Sequence, residues 1–477
     1  MDTTLSNPFQ NASNSKKLIT LIGIIIAMII TIFQAASLAV VLPVAAAEIG
    51  GMEYYALANA LNTTAGVILM PLWGYIGTRR PDLKRPLFFV SLCVGAVVMI
   101  IRAFATSMMI IVIPAFFYAF VGAGVFVLGY SMIRDIYPPV RAGTLLGLLS
   151  TVGSLGQLLG PVVSGLVMDF ASWRVVCHII WPFFLVGAIL VLMGVRATKA
   201  EAEAFAYKGG RFDFPGMLAV VFFLVPLILG LSVGTSFIRF GTLYSNLLFI
   251  VAAIALVLLI FIIRKKKGDA FIPAPVLKDR NTLAFMVANL FINFSNIAVF
   301  FFMPLYVINI MGLSATEGGL TTTAMSILPI ILAPIFGRMI GKSGSARGVW
   351  SMSVILRIVI AVALLFVVAP DVNIWIVYAI MFVAGVYNGA HGPSISAGPQ
   401  IQLDDKIRVQ GNSLVQVGQN LGSAIGLAVY TMVIAAFGIV QGMTIAIVLS
   451  LIAAALALIF TLMLRKKKET PSDGDGS

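Results

Sequence analysis

Residues 147–165, GLLSTVGSLGQLLGPVVSG, decide the fold of this chain. The stretch carries five glycines and one proline and has no charged residue. Gly156 and Gly160 stand one helical turn apart, so on a helix they form a flat strip that a second backbone can approach closely. Pro161 removes a backbone donor and is expected to bend the helix, which a membrane helix tolerates when neighbours satisfy the freed carbonyl. We therefore predict a membrane helix that packs tightly.

The composition of the whole chain agrees with a membrane protein. Of 477 residues, 60% are hydrophobic and only 10% are charged, and the mean hydropathy is +1.06. In soluble proteins charged residues make up about a quarter of the chain. About fourteen apolar runs occur, each about 20 residues long, which predicts helices rather than barrel strands. The expected fold is an all-α polytopic membrane protein with about 14 transmembrane helices. Twelve or thirteen are the alternatives, because only Thr106 and Ser107 separate the third run from the fourth and the seventh run is short.

The net charge of +13 is explained by the placement of the basic residues. If the N-terminus is cytoplasmic, the connections on that side hold all of the 31 lysines and arginines except Arg102, Arg174, Arg239 and Arg357. This bias follows the positive-inside rule, so nucleic-acid binding is not expected. It predicts a multi-pass protein of the cell membrane with both termini cytoplasmic. We expect Arg357 to reach the cytoplasmic surface by snorkelling, with anion binding as the alternative.

The chain also contains an internal repeat. Gly74 and Arg79 in one loop match Gly337 and Lys342, which follow 263 positions later. The glycines Gly156 and Gly160 are echoed 262 positions later by Gly418 and Gly422. Two features at nearly one offset indicate duplicated six-helix halves with two inserted helices, a 6+2+6 arrangement. The predicted parts are a cytoplasmic tail (1–17), an N-terminal half (18–195), a linker with two helices (196–282), a C-terminal half (283–464) and a cytoplasmic tail (465–477).

These motifs resemble those of a known family. The pattern Gly147-x8-Gly156-x3-Gly160-Pro161-x2-Ser164-Gly165 is similar to the fifth-span signature of the fourteen-span drug:proton antiporter branch of the major facilitator superfamily. The resemblance implies alternating access between two halves, with proton coupling as the default drive. It implies that the glycine series shapes the contact between the halves and that the loops with Gly74, Arg79, Gly337 and Lys342 form a cytoplasmic gate.

Three departures from the family pattern bear on the substrate. The acidic residue of the loop motif is replaced by Thr78 and Gly341, the first-span aspartate by Gln34, and the fourth-span arginine by Tyr118. None of the 18 acidic residues falls near the middle of a span. A pocket for lipophilic cations would normally hold a carboxylate, so a neutral or anionic amphipath is favoured. The bile-acid transporters of this branch fit such a substrate.

Polar residues inside the spans mark the expected substrate path. Asn289, Asn293 and Asn296 share one helical face, although such amides also serve as hydrogen bonds between helices. His391 is the candidate for proton coupling, because it titrates near neutral pH; a packed histidine is the alternative. The full predicted path comprises Gln34, Asn59, Asn62, Tyr118, Asn289, Asn293, Asn296, Gln416, Gln419 and Asn420.

The sequence thus predicts a secondary transporter of an amphipathic organic solute, coupled to protons and embedded in the lipid bilayer as a monomer. The main alternative is a multidrug/proton antiporter. From other classes we keep a lipid-translocating or channel-like protein and a membrane sensor. No P-loop, metal-ligand cluster or catalytic cluster occurs in the sequence, so no enzyme activity, metal or cofactor is expected.

Overall fold

The computed structural model describes residues 9–50, 55–196, 212–231, 241–266, 269–300, 302–313, 315–367 and 372–466. Every regular element within these ranges is helical. The first part of the chain forms α1 (Asn14–Ile49), α2 (Tyr55–Arg79), α3 (Lys84–Ala103), α4 (Met108–Gly122), α5 (Tyr130–Ile136), α6 (Pro139–Phe170) and α7 (Trp173–Met193). A π-helical segment, Ala123–Gly129, joins α4 to α5. The expected all-α fold is confirmed.

The second part of the chain continues in the same manner. Two helices follow in chain order, α8 (Phe214–Leu231) and α9 (Leu243–Lys266). They are followed by α10 (Ala274–Lys278), α11 (Arg280–Phe300), α12 (Phe302–Asn309), α13 (Ala315–Ser343), α14 (Arg347–Leu365), α15 (Ile374–Ser396), α16 (Gly398–Gln402), α17 (Arg408–Phe437) and α18 (Ile439–Leu462).

Among the described residues, twelve helical stretches are long and apolar enough to cross a membrane. The expected count of fourteen differs from these twelve by α2 and α8. The 25 residues of α2 include the polar side chains Asn59, Asn62, Thr63 and Thr64. The apolar part of α8 is a shorter helix, Phe214–Gly230. A polytopic membrane protein is therefore established with twelve candidate spans.

The glycine series packs one helix closely against another in each half. A Cβ atom on Gly156 would lie 2.8 Å from the carbonyl oxygen of Ile29, and one on Gly160 would lie 2.7 Å from that of Phe33, so α6 rests directly on the backbone of α1. Gly418 and Gly422 of α17 meet α11 in the same way, at the carbonyl oxygens of Met286 and Leu290. Repeat-related glycines thus contact the first long helix of each half.

The helices before α8 form one group, and those after α9 form a second. In the first, α1 packs against α6 and α7, and α3 against α4 and α7. In the second, α11 packs against α17 and α18, α13 against α15, and α14 against α15 and α18. Helices α8 and α9 pack on each other, and α8 also lies against α2. The groups themselves meet through α6 with α13 and through α2 with α17.

The Trp173-Arg174 pair ties the start of α7 to the end of α1. The Trp173 Nε1 donates to Glu48 at 2.8 Å, and the Arg174 guanidinium donates to the same carboxylate at 2.5 Å. These hydrogen bonds, with that from Arg174 the stronger, hold the pKa of Glu48 below its usual value. These hydrogen bonds join α1 to α7 at the end of the molecule away from the basic loops.

Asp213 anchors α8 and α9. Its buried carboxylate accepts hydrogen bonds from the backbone N–H groups of Gly216 (2.9 Å) and Phe271 (2.8 Å), and Lys266 lies 2.7 Å away. Burial opposes ionisation, but these three donors outweigh it and keep the pKa of Asp213 below its usual value. The Phe271 carbonyl accepts from the Gln410 amide at 2.5 Å, so the anchor also reaches α17.

Candidate functional site

One end of the molecule holds most of the basic connections, and we call it the basic end. There α6 meets α13 through four glycines, Gly143, Gly147, Gly337 and Gly341, which we call the glycine contact. A Cβ atom on Gly143 would lie 2.6 Å from the carbonyl oxygen of Gly337, and one on Gly147 would lie 2.5 Å from that of Ala333. Side chains are excluded from this contact, so the two backbones touch.

A single side chain completes the glycine contact. The Thr151 hydroxyl of α6 donates to the Ile330 carbonyl of α13 at 3.1 Å. Four residues after Ile330 stands Pro334, which has no N–H to offer that carbonyl. The hydroxyl from the other half therefore takes the place of an intrahelical donor.

The second contact between the halves joins α2 to α17, and we call it the mixed contact. A Cβ atom on Gly74 would lie 2.7 Å from the Cβ of Ser413, and one on Gly77 would lie 3.1 Å from a methyl group of Val409. Here glycine faces side chains rather than a second glycine. The structure thus places Gly74 and Gly337, two predicted gate residues, in corresponding contacts.

The two basic residues of the predicted gate loops lie beside these contacts. The Arg79 guanidinium covers the ring of Tyr75 at 4.1 Å from its centroid, and Lys342 is exposed. The glycines therefore make the contact, and the basic side chains border it.

A buried ion cluster of Lys84, Asp135, Arg408 and Asp405 stands next to the mixed contact. Asp135 of α5 pairs with Lys84 at 2.6 Å and with Arg408 of α17, and Arg408 also pairs with Asp405 at 2.6 Å. The side chains of Lys84, Asp135 and Arg408 are all less than a tenth exposed. The cluster joins the halves electrostatically. Sequence reasoning missed it, although an acidic residue at the end of an apolar helix was a usable signal.

At the opposite end the same helices are less closely covered. Added Cβ atoms on Gly165 of α6 and Gly319 of α13 would meet nothing within 4 Å, and Phe170 is 90% exposed. Among the described residues, the contacts of α6 with α13 and of α2 with α17 lie at the basic end and in the middle of the molecule. The structure therefore represents a form that is closed at the basic end.

Among the described path residues before α8, Gln34 of α1 is the most deeply buried. This side chain is 1% exposed, and neither atom of its amide has a hydrogen-bond partner among the described residues. One turn earlier, the Thr31 carbonyl accepts from the Tyr118 hydroxyl at 3.4 Å. Asn62 is half-buried, and the side chain of Asn59 lies outside the described residues.

The asparagines of α11 all make hydrogen bonds within the second group of helices. Asn289 donates to the Val415 carbonyl of α17 at 2.9 Å, which is a hydrogen bond between helices. Asn293 donates to Asn289, and Asn296 accepts from Arg357 at 3.0 Å.

The predicted path residues on α17 make fewer hydrogen bonds than those on α11. Gln416 is buried, and its amide nitrogen has no hydrogen-bond partner among the described residues. Gln419 and Asn420 are half-buried. Asn420 reaches across to the sulfur of Met70 at 3.5 Å, so the row borders the other half.

Arg357 does not snorkel, and this expectation was wrong. Its side chain is 2% exposed, and its guanidinium lies over the ring of Tyr387 at 4.1 Å from the centroid while it donates to Asn296. The residue lies about midway along α14, and its side chain points into the second group of helices. The sequence predicted the position of Arg357 along the helix correctly, but not the direction in which its side chain points.

His391 lies one turn from Tyr387 on α15 and is buried. Its Nδ1 atom accepts a hydrogen bond from the Trp350 indole at 3.2 Å, and Trp350 stacks on Phe285 of α11. Because Nδ1 accepts, the neutral ring carries its proton on Nε2. The histidine is thus held in one tautomer by α14.

Comparison with known proteins places this architecture. A sequence model described as the Major Facilitator Superfamily matches residues 24–266 and 283–476. Multidrug resistance protein 3 of Bacillus subtilis (strain 168) is 24% identical over 447 residues, 90% of this chain and 81% of that protein. Multidrug export protein EmrB of Escherichia coli (strain K12) is 24% identical over 289 residues, 59% of this chain and 54% of that protein.

The fold itself is similar to that of a solved structure, the human organic anion transporter MFSD10 (TETRAN). The TM-score is 0.63 at 12% sequence identity, and the match covers 92% of this chain and 99% of the other. At this identity the likeness shows a shared fold.

Proposed function

Because the chain belongs to the Major Facilitator Superfamily, we propose that it is a secondary transporter that moves a neutral or anionic amphipathic organic solute by proton-coupled alternating access. The superfamily and the drug-exporting relatives support transport of an organic solute. The preference for neutral or anionic solutes is supported by the kinds of polar residues inside the helices. Every described Asp and Glu lies at a helix end or in a connection, whereas buried amides such as Gln34 and Gln416 lie inside helices.

The test is transport by the purified protein in liposomes under an imposed proton gradient. Three labelled probes separate the possibilities: cholate as a bile-acid-like anion, a neutral drug and a lipophilic cation. We expect gradient-driven movement of cholate or of the neutral drug. Gradient-driven movement of the cation alone would instead support the second candidate, a multidrug exporter, which the names of the bacterial relatives favour.

We further propose that α2 and α8 also cross the membrane, which gives fourteen spans arranged 6+2+6, with the basic end and both termini in the cytoplasm. Helix α2 packs against α4 and α17, and α8 packs against α9, so each lies among membrane helices. Cysteines on either side of each helix provide the test, with Cys93 and Cys177 replaced: Ala47→Cys and Arg80→Cys for α2, and Phe212→Cys and Thr242→Cys for α8. An impermeant thiol reagent should label Ala47→Cys and Thr242→Cys in intact cells, and Arg80→Cys and Phe212→Cys only after permeabilisation. Labelling of both flanks of one helix from the same side would contradict its crossing, and the reverse sidedness would contradict the orientation.

His391 is the proposed coupling residue. To accept a proton on Nδ1, the ring must lose its hydrogen bond from Trp350, so proton uptake would loosen α15 from α14. We expect His391→Ala to abolish gradient-driven accumulation of cholate while downhill exchange continues. Trp350→Phe, which frees Nδ1, should retain coupling with an altered pH profile. Unchanged accumulation in His391→Ala would remove the histidine from the coupling mechanism.

A further inference from the structure

Arg357 is a buried cation in the second half of the molecule. Its Nη1 donates to the neutral amide of Asn296 at 3.0 Å, and the ring of Tyr387 covers one face of its guanidinium. The Nε and Nη2 groups are buried and have no hydrogen-bond partner among the described residues. A buried charge without a counter-charge is costly, so a ligand that supplies the counter-charge would be strongly favoured here.

The two groups without partners form one edge of the guanidinium. Nε and Nη2 present two nearly parallel N–H bonds that match the two oxygens of a carboxylate. The same pairing occurs elsewhere in this chain, where Arg80 donates to Asp82 through Nε at 3.0 Å and through Nη2 at 2.8 Å. In Arg357 the edge suited to a carboxylate is therefore the edge that remains available.

The position of Asn296 indicates how a solute reaches this edge. Asn289, Asn293 and Asn296 share one face of α11, and the first two are buried inside the molecule. Asn296 is only partly buried, although it shares that inward face. Its exposure is therefore directed to the interior rather than to lipid. The Nε and Nη2 groups are themselves buried in this form, so a solute reaches them when the neighbouring helices move during alternating access.

We propose that Arg357 binds the carboxylate of the transported solute through Nε and Nη2, with Asn296 and Tyr387 holding the guanidinium in place. This assignment rests on the proposed function and narrows it to amphipathic carboxylates. Arg357 contacts the anionic group, and the apolar body of the solute lies along the path toward α17. If the solute is the anion and Arg357 is its counter-charge, no acidic side chain is needed inside the helices to offset the charge of the solute.

Arg102 provides a matched comparison in the first half. Its side chain is also 2% exposed, but its Nε donates to the Ile111 carbonyl at 3.3 Å. The edge that is free in Arg357 is thus partly occupied in Arg102 by the backbone of the next helix. Arg102 acts as a tether between α3 and α4, so Arg102→Gln controls for the loss of a buried arginine as such.

The experiment measures binding of two labelled probes to the purified full-length protein: cholate and its uncharged methyl ester. The wild type is expected to bind cholate more tightly. Arg357→Gln should weaken cholate binding by about 10- to 100-fold, the range of a hydrogen-bonded charge pair, and leave ester binding unchanged. Arg357→Lys, which keeps the charge but not the fork, should fall between. Arg102→Gln should keep the preference for cholate.

A second variant covers the case in which Arg357→Gln does not fold. Asn296→Asp keeps the arginine and places a carboxylate beside its Nη1, so it should weaken cholate binding and spare the ester. The assignment is overturned if the wild type shows no preference for cholate, or if a folded Arg357→Gln or Asn296→Asp keeps it. Liposome flux separates the two proposals. Arg357-dependent binding without flux would contradict transport alone, and flux that is indifferent to Arg357→Gln would contradict the anion site alone.

Discussion

Two contacts close the basic end, and they are built differently although the internal repeat relates them. In the glycine contact, α6 and α13 touch through their backbones. In the mixed contact, Gly74 of α2 faces the side chain of Ser413 on α17, and the buried ion cluster stands beside it. A clash with a backbone persists whatever side chain stands there, whereas a clash with a side chain is removed when that side chain is deleted. The contacts should therefore differ in what breaks them.

The largest effect is expected in the ion cluster. Asp135→Asn leaves Lys84 and Arg408 buried with less counter-charge, and breaking such a pair costs about 3–5 kcal/mol. The free energy of unfolding should fall by the lower part of that range, because Asp405 still pairs with Arg408. Chemical unfolding of the purified protein measures it. Asp169→Asn, at an exposed carboxylate on α6, is the control and should change little.

A double variant separates loss of charge from loss of packing. If repulsion between the remaining cations causes the effect, then Asp135→Asn combined with Arg408→Gln should be more stable than Asp135→Asn alone. Additive losses in the double variant would show that the cluster acts through shape instead.

The next effect is expected in the glycine contact. A side chain at Gly337 would overlap the Gly143 carbonyl and approach the Gly147 Cα at 2.8 Å, and such overpacking costs about 1–3 kcal/mol. Gly337→Val should therefore disfavour the closed form by about 10- to 100-fold. Thiol accessibility of a cysteine placed at Ser150, whose hydroxyl lies 3.5 Å from that of Ser396 on α15 in the closed form, measures the opening. Gly319→Val lies on the same helix in open space and should behave as wild type; equal effects of both valines would contradict the contact.

A smaller effect is expected where the obstacle is a side chain that substitution can remove. An added methyl group at Gly74 would lie 2.7 Å from the Cβ of Ser413, which side-chain rotation does not move, but a methyl group is smaller than the isopropyl group of valine, so Gly74→Ala should cost about 1 kcal/mol. The same accessibility assay would show a slight opening. Combining Gly74→Ala with Ser413→Gly should restore the closed form. If Ser413→Gly does not rescue Gly74→Ala, the backbone of α17 is the obstacle and the two contacts do not differ.

The sequence predicts those features of the two contacts that depend on residues close together in the chain. Close packing at Gly156 and Gly160 follows from their spacing alone, and Gly418 and Gly422 repeat it against α11. The ion cluster joins positions 273 residues apart, and no local pattern specifies that pairing. The prediction that the side chain of Arg357 reaches the surface failed for the same reason, because its partner is distant in the chain. Its depth in a helix is visible in the sequence, but Asn296, its partner 61 residues away, is not.

The smallest effect concerns the hydroxyl of Thr151. It donates to the Ile330 carbonyl, which lacks its usual helical donor because the residue four positions on is Pro334. Thr151→Val keeps the shape but leaves that carbonyl without the hydrogen bond, which should cost about 0.5–1.5 kcal/mol. Pro334→Ala supplies an N–H to the carbonyl, so in that background Thr151→Val should cost almost nothing. Equal costs in both backgrounds would show that the proline does not create the need for the hydroxyl, and unfolding of the four proteins measures the difference.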